Sequence, residues 1–284
     1  MAEQKHILIS NDDGINAHGI GVLEDAVRSL GCFRITVVAP HDQQSASSHS
    51  LTLTSPLRII EHGPGRYAVT GTPTDTVLVA MEKILRADPP DYVMSGINHG
   101  PNMGEDVIYS GTVAAAMEGT MFGIPSYAFS LAAWHPTDFS GAREFLRRCL
   151  PEIIAFPLRR GSLLNVNIPD GPIEGIRGIR VTRLGNRVYQ NVITDQVDPH
   201  GKPYFWIGGQ GPTWSRDQGT DYAAVEEGFV SLTPLIVDLT HYGLHQEMKG
   251  LERDGLPPAP GDGCLLYTSP SPRDRTRSRM PSSA

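Results

Sequence analysis

The chain has 284 residues, a formal charge of -7, and 39% hydrophobic against 19% charged side chains. A chain of this size can bury a substantial core in one large domain or two small ones. Its acidic balance argues against a non-specific grip on nucleic-acid polymers, which depends on neutralising phosphates with Lys and Arg. No apolar stretch approaches the roughly 18 residues of a membrane helix. Cys32, Cys149 and Cys264 show no paired spacing, so neither a disulfide framework nor a zinc site is signalled.

The segment MAEQKHILIS runs directly into an apolar strand pattern without the basic start, long apolar core and cleavage site of a signal peptide. A cytoplasmic protein with no membrane partner is the expectation. HILIS, from His6 to Ser10, predicts a strand, and GIGVLEDAVRSL places apolar residues at helical spacing. RITVVAP predicts a second strand ending at Pro40, followed by the polar loop DQQSASSHS. LTLTSPLRII and RYAVT, on either side of the turn signal HGPG, predict a β-hairpin. TDTVLVAMEKIL, beginning beside Thr72, Pro73, Thr74 and Asp75, predicts an amphipathic helix with a good start.

DYVMSGI predicts another strand, and the polar loop NHGPNMGEDVIYSG leads into TVAAAMEGTMFG, a helix rich in small residues. IPSYAFSL predicts a buried strand, and a helix follows from about Ala142 to Ile154. Alternating strands and helices predict an α/β fold: a Rossmann-like, mostly parallel sheet covered by helices on both faces, which binds ligands at the carboxyl ends of its strands. From Phe156 to Tyr242 the pattern changes to SLLNVNIP, GIRVTRLG, RVYQNVI and PYFWIGG, then the short helical TDYAAVEEG and a last strand FVSLTPL. The expected organisation is a core over residues 1–155, a β-rich extension over 156–245 that returns to the core, and a linker or chain end over 246–263. Residues 264–284, CLLYTSPSPRDRTRSRMPSSA, have a different composition and read as a translated cloning or adapter scar or a disordered tail.

The chemistry gathers at the strand ends. In ISNDDG, Asp12 and Asp13 would point to opposite faces of an extended chain, but Gly14 permits a turn that lets them converge. Two converging carboxylates are costly to keep ionised together unless a cation sits between them. An ordinary turn that caps the next helix explains the same residues equally well. Ser45 and Asn98, at other strand ends, add a hydroxyl and an amide oxygen, an all-oxygen set suited to Mg²⁺ or Mn²⁺. His18, His41 and His99 lie nearby in sequence and carry no assigned role. Ser110, Gly111 and Thr112 open a helix whose free N–H groups favour an anion such as phosphate, although Ser110 is also an ordinary N-cap.

These strings taken together, ILISNDDG, VVAPHDQQSAS with SLTLTSPLRI, VTGTPTDTV, SGINHGPNMGEDVIYSGTVAAAMEG and GTDYAAVEEGFVSLTPL, resemble in order the blocks of the SurE family of survival proteins. The resemblance runs from about Ile7 to Tyr242. It implies a metal-dependent phosphatase that hydrolyses nucleoside monophosphates at the 5′ or 3′ phosphate, with some members also acting on short polyphosphate. It also implies a metal held by Asp12, Asp13, Ser45 and Asn98, with catalysis centred on the two acids. Phosphate contacts would come from Asn11, Asn102, Ser110, Gly111 and Thr112. One divalent ion per subunit, and a homodimer or homotetramer built through the β-rich extension, complete the expectation. The loop after the second strand departs from the family's usual P-D-R-x-x-S-G: His41 replaces the acid, Asp42 stands where Arg is common, and Ala46 replaces the glycine.

The rival reading from another class is a Mg-binding receiver-like signalling domain, which also places an acid pair after its first strand. It needs a phosphoacceptor Asp on a middle strand and a Lys after a late one, where DYVMSGIN and SYAFSL supply neither. A haloacid-dehalogenase-type phosphatase would want D-x-D, and a nicotinamide-binding protein would want G-x-G-x-x-G, a spacing that GINAHGIG lacks.

Overall fold

The computed structural model describes residues 4–133, 138–188, 193–207, 213–214 and 217–255. In chain order the elements are β1 (Lys5–Ser10), α1 (His18–Ser29), β2 (Phe33–Pro40), β3 (Ile59–Gly63), β4 (Arg66–Val69), α2 (Pro73–Val79), β5 (Tyr92–His99), α3 (Gly111–Met121), β6 (Ser126–Ala132) and α4 (Ser140–Ala155). They continue with β7 (Ser162–Pro169), β8 (Gly178–Val181), β9 (Arg187–Val188), β10 (Ile193–Val197), β11 (Pro203–Ile207), β12 (Thr213–Trp214), α5 (Asp221–Glu226), β13 (Phe229–Ile236) and α6 (Tyr242–Met248).

Nine strands form one sheet in the order β3-β4-β2-β1-β5-β6-β7-β13-β8. The run β4-β2-β1-β5-β6-β7 is parallel, while β3 pairs antiparallel with β4 and β13 antiparallel with β7. The chain leaves β1 to one side for β2 and later returns to its other side as β5, so the strand order switches at β1. Open α/β sheets bind ligands at such a point, beyond the carboxyl ends of the strands.

Strand periodicity divides β1 between two cores. Ile7 and Ile9 pack with Ile20 and Leu23 of α1 and with Phe145, Leu146 and Leu150 of α4. Leu8 faces the other way, with Val38, Val93 and Val77 of α2. Val113 and Ala116 of α3 join Ala128 and Leu163 in a third cluster on the sheet. The sheet is therefore covered on both faces, as the alternation of elements implied. Each fully buried Leu or Ile contributes about 1.5–3 kcal/mol, so these layers carry much of the stability.

Several local expectations are met by identifiable bonds. Thr72 and Asp75 close a reciprocal capping box on α2, with Pro73 in its first turn. A π-helical turn over Ala80–Ile84 then prolongs α2. The expected hairpin forms between β3 and β4, but its first strand begins only at Ile59, which leaves LTLTSPL outside it. Its Thr52 N–H donates to Asp75 Oδ1 at 3.0 Å, and Arg58 N–H donates to Thr70 Oγ1 at 2.9 Å, so part of its backbone is satisfied by side chains instead of a strand partner. Of RVYQNVI, only Arg187–Val188 and the Ile193 end of β10 are described as strand.

Met1–Asp238 is one compact unit and Leu239–Ala284 a second. The boundary expected near residue 155 runs between α4 and β7, inside the first unit, where β7, β8 and β13 extend the main sheet. The start of the expected 246–263 linker is helical, through α6 and a 3₁₀ turn over Lys249–Leu251. The distinctive tail over 264–284 lies outside the described residues.

Candidate active site

β1 ends at Ser10, and the next residues turn sharply. Gly14 takes φ = 100°, a conformation that glycine adopts without strain. Asn11 clasps this turn: its Nδ2 donates to Gly14 O at 2.9 Å, and Gly14 N–H donates to Asn11 Oδ1 at 3.2 Å. Ile15 N–H donates to Pro40 O at 2.8 Å, tying the turn to the end of β2.

Asp12 is buried, with 4% of its surface exposed. Its Oδ1 accepts a short hydrogen bond from Thr112 Oγ1, so the first acid is bonded directly to the first turn of α3. Burial pushes the Asp12 carboxyl up to about 6; the Thr112 hydrogen bond opposes this, and the charge of Asp13 adds to it. Asp13 Oδ2 accepts from the His99 main-chain N–H at 3.2 Å and lies 3.1 Å from His99 Nδ1. Phe139 sets its ring edge-on to His99, with centroids 4.8 Å apart.

Three segments converge on these acids. After β2, Gln44 N–H donates to Asp12 O at 2.7 Å, and Ser48 donates through N–H to Tyr109 O and through Oγ to Ile108 O. In that loop Ser45 is exposed, and its Oγ accepts from Gln43 Nε2 at 3.0 Å. Ser47 Oγ is buried and has no partner. At the end of β5 the register with β6 shifts between Ser95 and Asn98, an irregularity of the kind that re-aims side chains at strand ends. Asn98 Nδ2 donates to Gly100 O at 2.9 Å, which leaves the amide oxygen as the acceptor on that side chain.

Ser110 caps α3, its Oγ accepting from Val113 N–H at 3.1 Å. No acidic residue occupies the first turn of α3. Gly111 brings the backbone very close to Asp12: a methyl group there would lie 2.7 Å from Asp12 Cβ and 3.0 Å from its Oδ2. Asn102 is 6% exposed and is engaged on several sides. Its Nδ2 donates to Ser130 Oγ at 2.8 Å and its N–H to Asn167 Oδ1 at 2.8 Å, while its carbonyl accepts from both Asn165 and Asn167.

The structure thus joins Asp12, Gly111 and Thr112 directly and links Asp13 to the residue after Asn98. Ser45 meets none of the other candidates through its side chain. Sequence reasoning passed over three residues around these strand ends. His99 carried no assigned role, although it follows a candidate ligand. Ser47 stood in a serine-rich loop with nothing to single it out. Asp221, read only as a helix start, is fully buried and accepts from Gly104 N–H, Gly185 N–H and Tyr222 N–H at 2.8, 2.8 and 2.9 Å.

Among the described residues, no three histidine, cysteine or carboxylate side chains form a metal cage. The donors are two carboxylates and neutral oxygens, the set that a hard ion such as Mg²⁺ takes when waters and phosphate complete its shell. Two adjacent acids, one buried beside the start of a helix, fit such an ion.

Comparison with known proteins identifies the family. Residues 7–191 match the family model described as survival protein SurE. A 5′-nucleotidase SurE from Gemmatimonas aurantiaca is 53% identical over 242 residues, covering 83% of this chain and 94% of that protein. A second, from Vibrio cholerae serotype O1, is 48% identical over 246 residues, covering 87% of this chain and 96% of the relative. The crystal structure of the SurE protein from Aquifex aeolicus superposes with a TM-score of 0.77 at 41% identity, covering 87% of this chain and all of that one. With the family model matched over most of the chain and close relatives matched nearly end to end, this protein belongs to the SurE family.

Proposed function

We propose that this chain is a 5′-nucleotidase that hydrolyses nucleoside 5′-monophosphates to nucleoside and phosphate, with 3′-monophosphates as further substrates. The reading follows the names of its relatives. The observation that carries it in the structure is the contact of the Asp12 carboxylate with the first turn of α3, through Thr112 and the bare backbone of Gly111. Cation donors and anion-binding N–H groups stand side by side there, as phosphate-ester chemistry requires.

Asp12, Asp13, Ser45 and Asn98 would hold one Mg²⁺ or Mn²⁺ per subunit. Such an ion, when bound, neutralises phosphate charge and lowers the pKa of water. The protein's own part is positioning. His99 fixes Asp13 through its main chain and ring, and Thr112 fixes Asp12. The start of α3, at Ser110, Gly111 and Thr112, would face a phosphate with the backbone N–H groups of its first turn and its positive dipole end. Asn11 and Asn102 each commit one amide N–H to the protein, to Gly14 O and Ser130 Oγ, and retain a second for a phosphate oxygen.

The β-rich part of 156–245 would serve assembly into a homodimer or homotetramer. Val197, Phe205, Trp206 and Ile207 are exposed on β10 and β11, which form a two-stranded sheet. Isolated two-stranded sheets are marginal in water, which supports a partner for this one. No described helix is long and apolar enough to cross a membrane, and a cytoplasmic site of action is part of the proposal. The receiver-like alternative shares the acid pair after β1 but lacks the phosphoacceptor Asp and the late Lys it needs.

Phosphate release from a panel of nucleoside 5′- and 3′-monophosphates, with Mg²⁺, Mn²⁺ or EDTA, tests the reading. Release that needs a divalent ion and is strongest on 5′-monophosphates is expected. No release with either metal would reject it.

A further inference from the structure

We propose that Ser47 supplies a further oxygen donor to the divalent-cation site at Asp12, beyond the four residues assigned to it above. The inference rests on the cation-dependent reading. Ser47 Oγ is buried without a hydrogen-bond partner, a condition that native hydroxyls rarely keep without a reason. Its neighbours in the loop are engaged: Ser48 Oγ donates to Ile108 O at 2.7 Å, Ser50 Oγ to Ser47 O at 2.7 Å, and Ser45 Oγ accepts from Gln43. Within this serine-rich loop, only Ser47 has its hydroxyl buried and unpaired.

Its position identifies what it faces. A methyl group at Gly111 would lie 2.9 Å from Ser47 Oγ and 3.0 Å from Asp12 Oδ2, so the two oxygens border the same narrow gap over Gly111. The other Asp12 oxygen, Oδ1, is taken by Thr112. A gap bordered by a carboxylate oxygen and a hydroxyl oxygen suits a small hard cation. An anion placed in that gap would meet the Asp12 carboxylate at close range and be repelled.

Calorimetric titration of metal-free, full-length protein with MnCl₂ tests this, with Ser47→Ala, Ser47→Thr and Asp13→Asn beside wild type. Ser47→Ala is expected to weaken Mn²⁺ binding by about tenfold, at the lower end of what supporting residues at metal sites contribute. Ser47→Thr, which keeps the hydroxyl, is expected to bind within about threefold of wild type, well inside that tenfold loss. The metal-free melting temperature of Ser47→Ala should equal or exceed that of wild type, because the variant removes an unpaired buried hydroxyl. A residue that served packing alone would give the opposite pattern, a lower metal-free melting temperature with unchanged Mn²⁺ affinity. That result overturns the proposal, as does a loss confined to a parallel titration with inorganic phosphate. If Asp13→Asn abolishes Mn²⁺ binding while Ser47→Ala leaves it intact, this assignment fails and the cation reading stands. If wild type itself does not bind Mn²⁺, both fail.

Discussion

The two halves of the sheet meet at the same functional edge but use their polar residues differently. On the β1, β2 and β5 side, Asp12, Asp13, Ser47 and Asn98 keep oxygens uncommitted or crowded against one another, and Asp12 is held at a raised pKa of about 6 by burial and by Asp13. On the β7 and β13 side, Asn165, Asn167 and Asp221 direct their hydrogen bonds inward, to Asn102, Gly104 and Gly185. The first half presents oxygens that a cation can take. The second is a set of fastenings that holds the loop between β5 and α3 from behind. Stability and chemistry are thus separated across the sheet, and substitutions on the two sides should be distinguishable.

The largest effect belongs to the acid side. Asp13→Asn keeps the shape of the side chain and an acceptor for His99 while removing one of the two charges. A catalytic cation supplies several kcal/mol of charge stabilisation, so steady-state phosphate release is expected to fall by about a thousandfold. Urea denaturation of the metal-free variant should show stability equal to or above wild type, since the repulsion between adjacent carboxylates is gone. A large loss of stability with activity retained would erase the contrast between the halves.

What could be read from the chain follows the same division. Asp12 and Asp13 announced themselves because two acids at a strand end before a glycine form a local pattern, and the later strand ends added compatible oxygens. Asn165 and Asn167 left a fainter signal. They stand two apart in SLLNVNIP, hence on one face of a buried strand, but nothing local says that Asn102 is what they grip. Asp221 was less legible still. Its helix-start position is an ordinary place for an acid, and its bond to Gly104 spans 117 residues. LTLTSPL failed for a related reason: alternation suggested a strand, and a distant capping carboxylate took one of its N–H groups instead.

Asp221→Ala attacks the fastening side. It leaves the Gly104 and Gly185 N–H groups buried without acceptors, each a loss of about 1–3 kcal/mol, so a stability decrease of about 3 kcal/mol is expected in urea unfolding. Activity lost through the loop should then recover in part at lower temperature, unlike that of Asp13→Asn. The same carboxyl sets a pH dependence. Burial raises its pKa above the ordinary 3.8, against the backbone hydrogen bonds from Gly104, Gly185, Tyr222 and its own residue. As pH rises through 3.8 the unfolded chain releases this proton first, so the contribution of Asp221 to stability falls from there up to its folded pKa and is constant beyond. Measured against Asp221→Asn, wild type should lose stability across that acid window; a parallel pair of pH profiles would show that its titration is not coupled to folding.

The smallest effect lies in the loop that reaches from β2 to the acids. Ala46 stands where the family commonly has glycine, and it adopts φ = 58°, with Ser48 also left-handed at 53°. An alanine in that region carries about 1–2 kcal/mol of steric strain, while glycine loses about 0.4–1 kcal/mol more backbone entropy on folding. Ala46 is exposed, so replacing its methyl group sacrifices no packing. Ala46→Gly should therefore raise stability by about 0.5–1 kcal/mol, read as a higher urea midpoint with an unchanged slope. The strain is borne on the acid side of the sheet, between Ser45 and Ser47, where the backbone must turn one serine outward and the other toward Gly111. If Ala46→Gly stabilises the fold and leaves Mn²⁺ affinity unchanged, the two serines are held by the bonds of Gln44 and Ser48 to the neighbouring loops. If stability rises but Mn²⁺ affinity falls, the strained alanine itself holds the loop in its binding conformation.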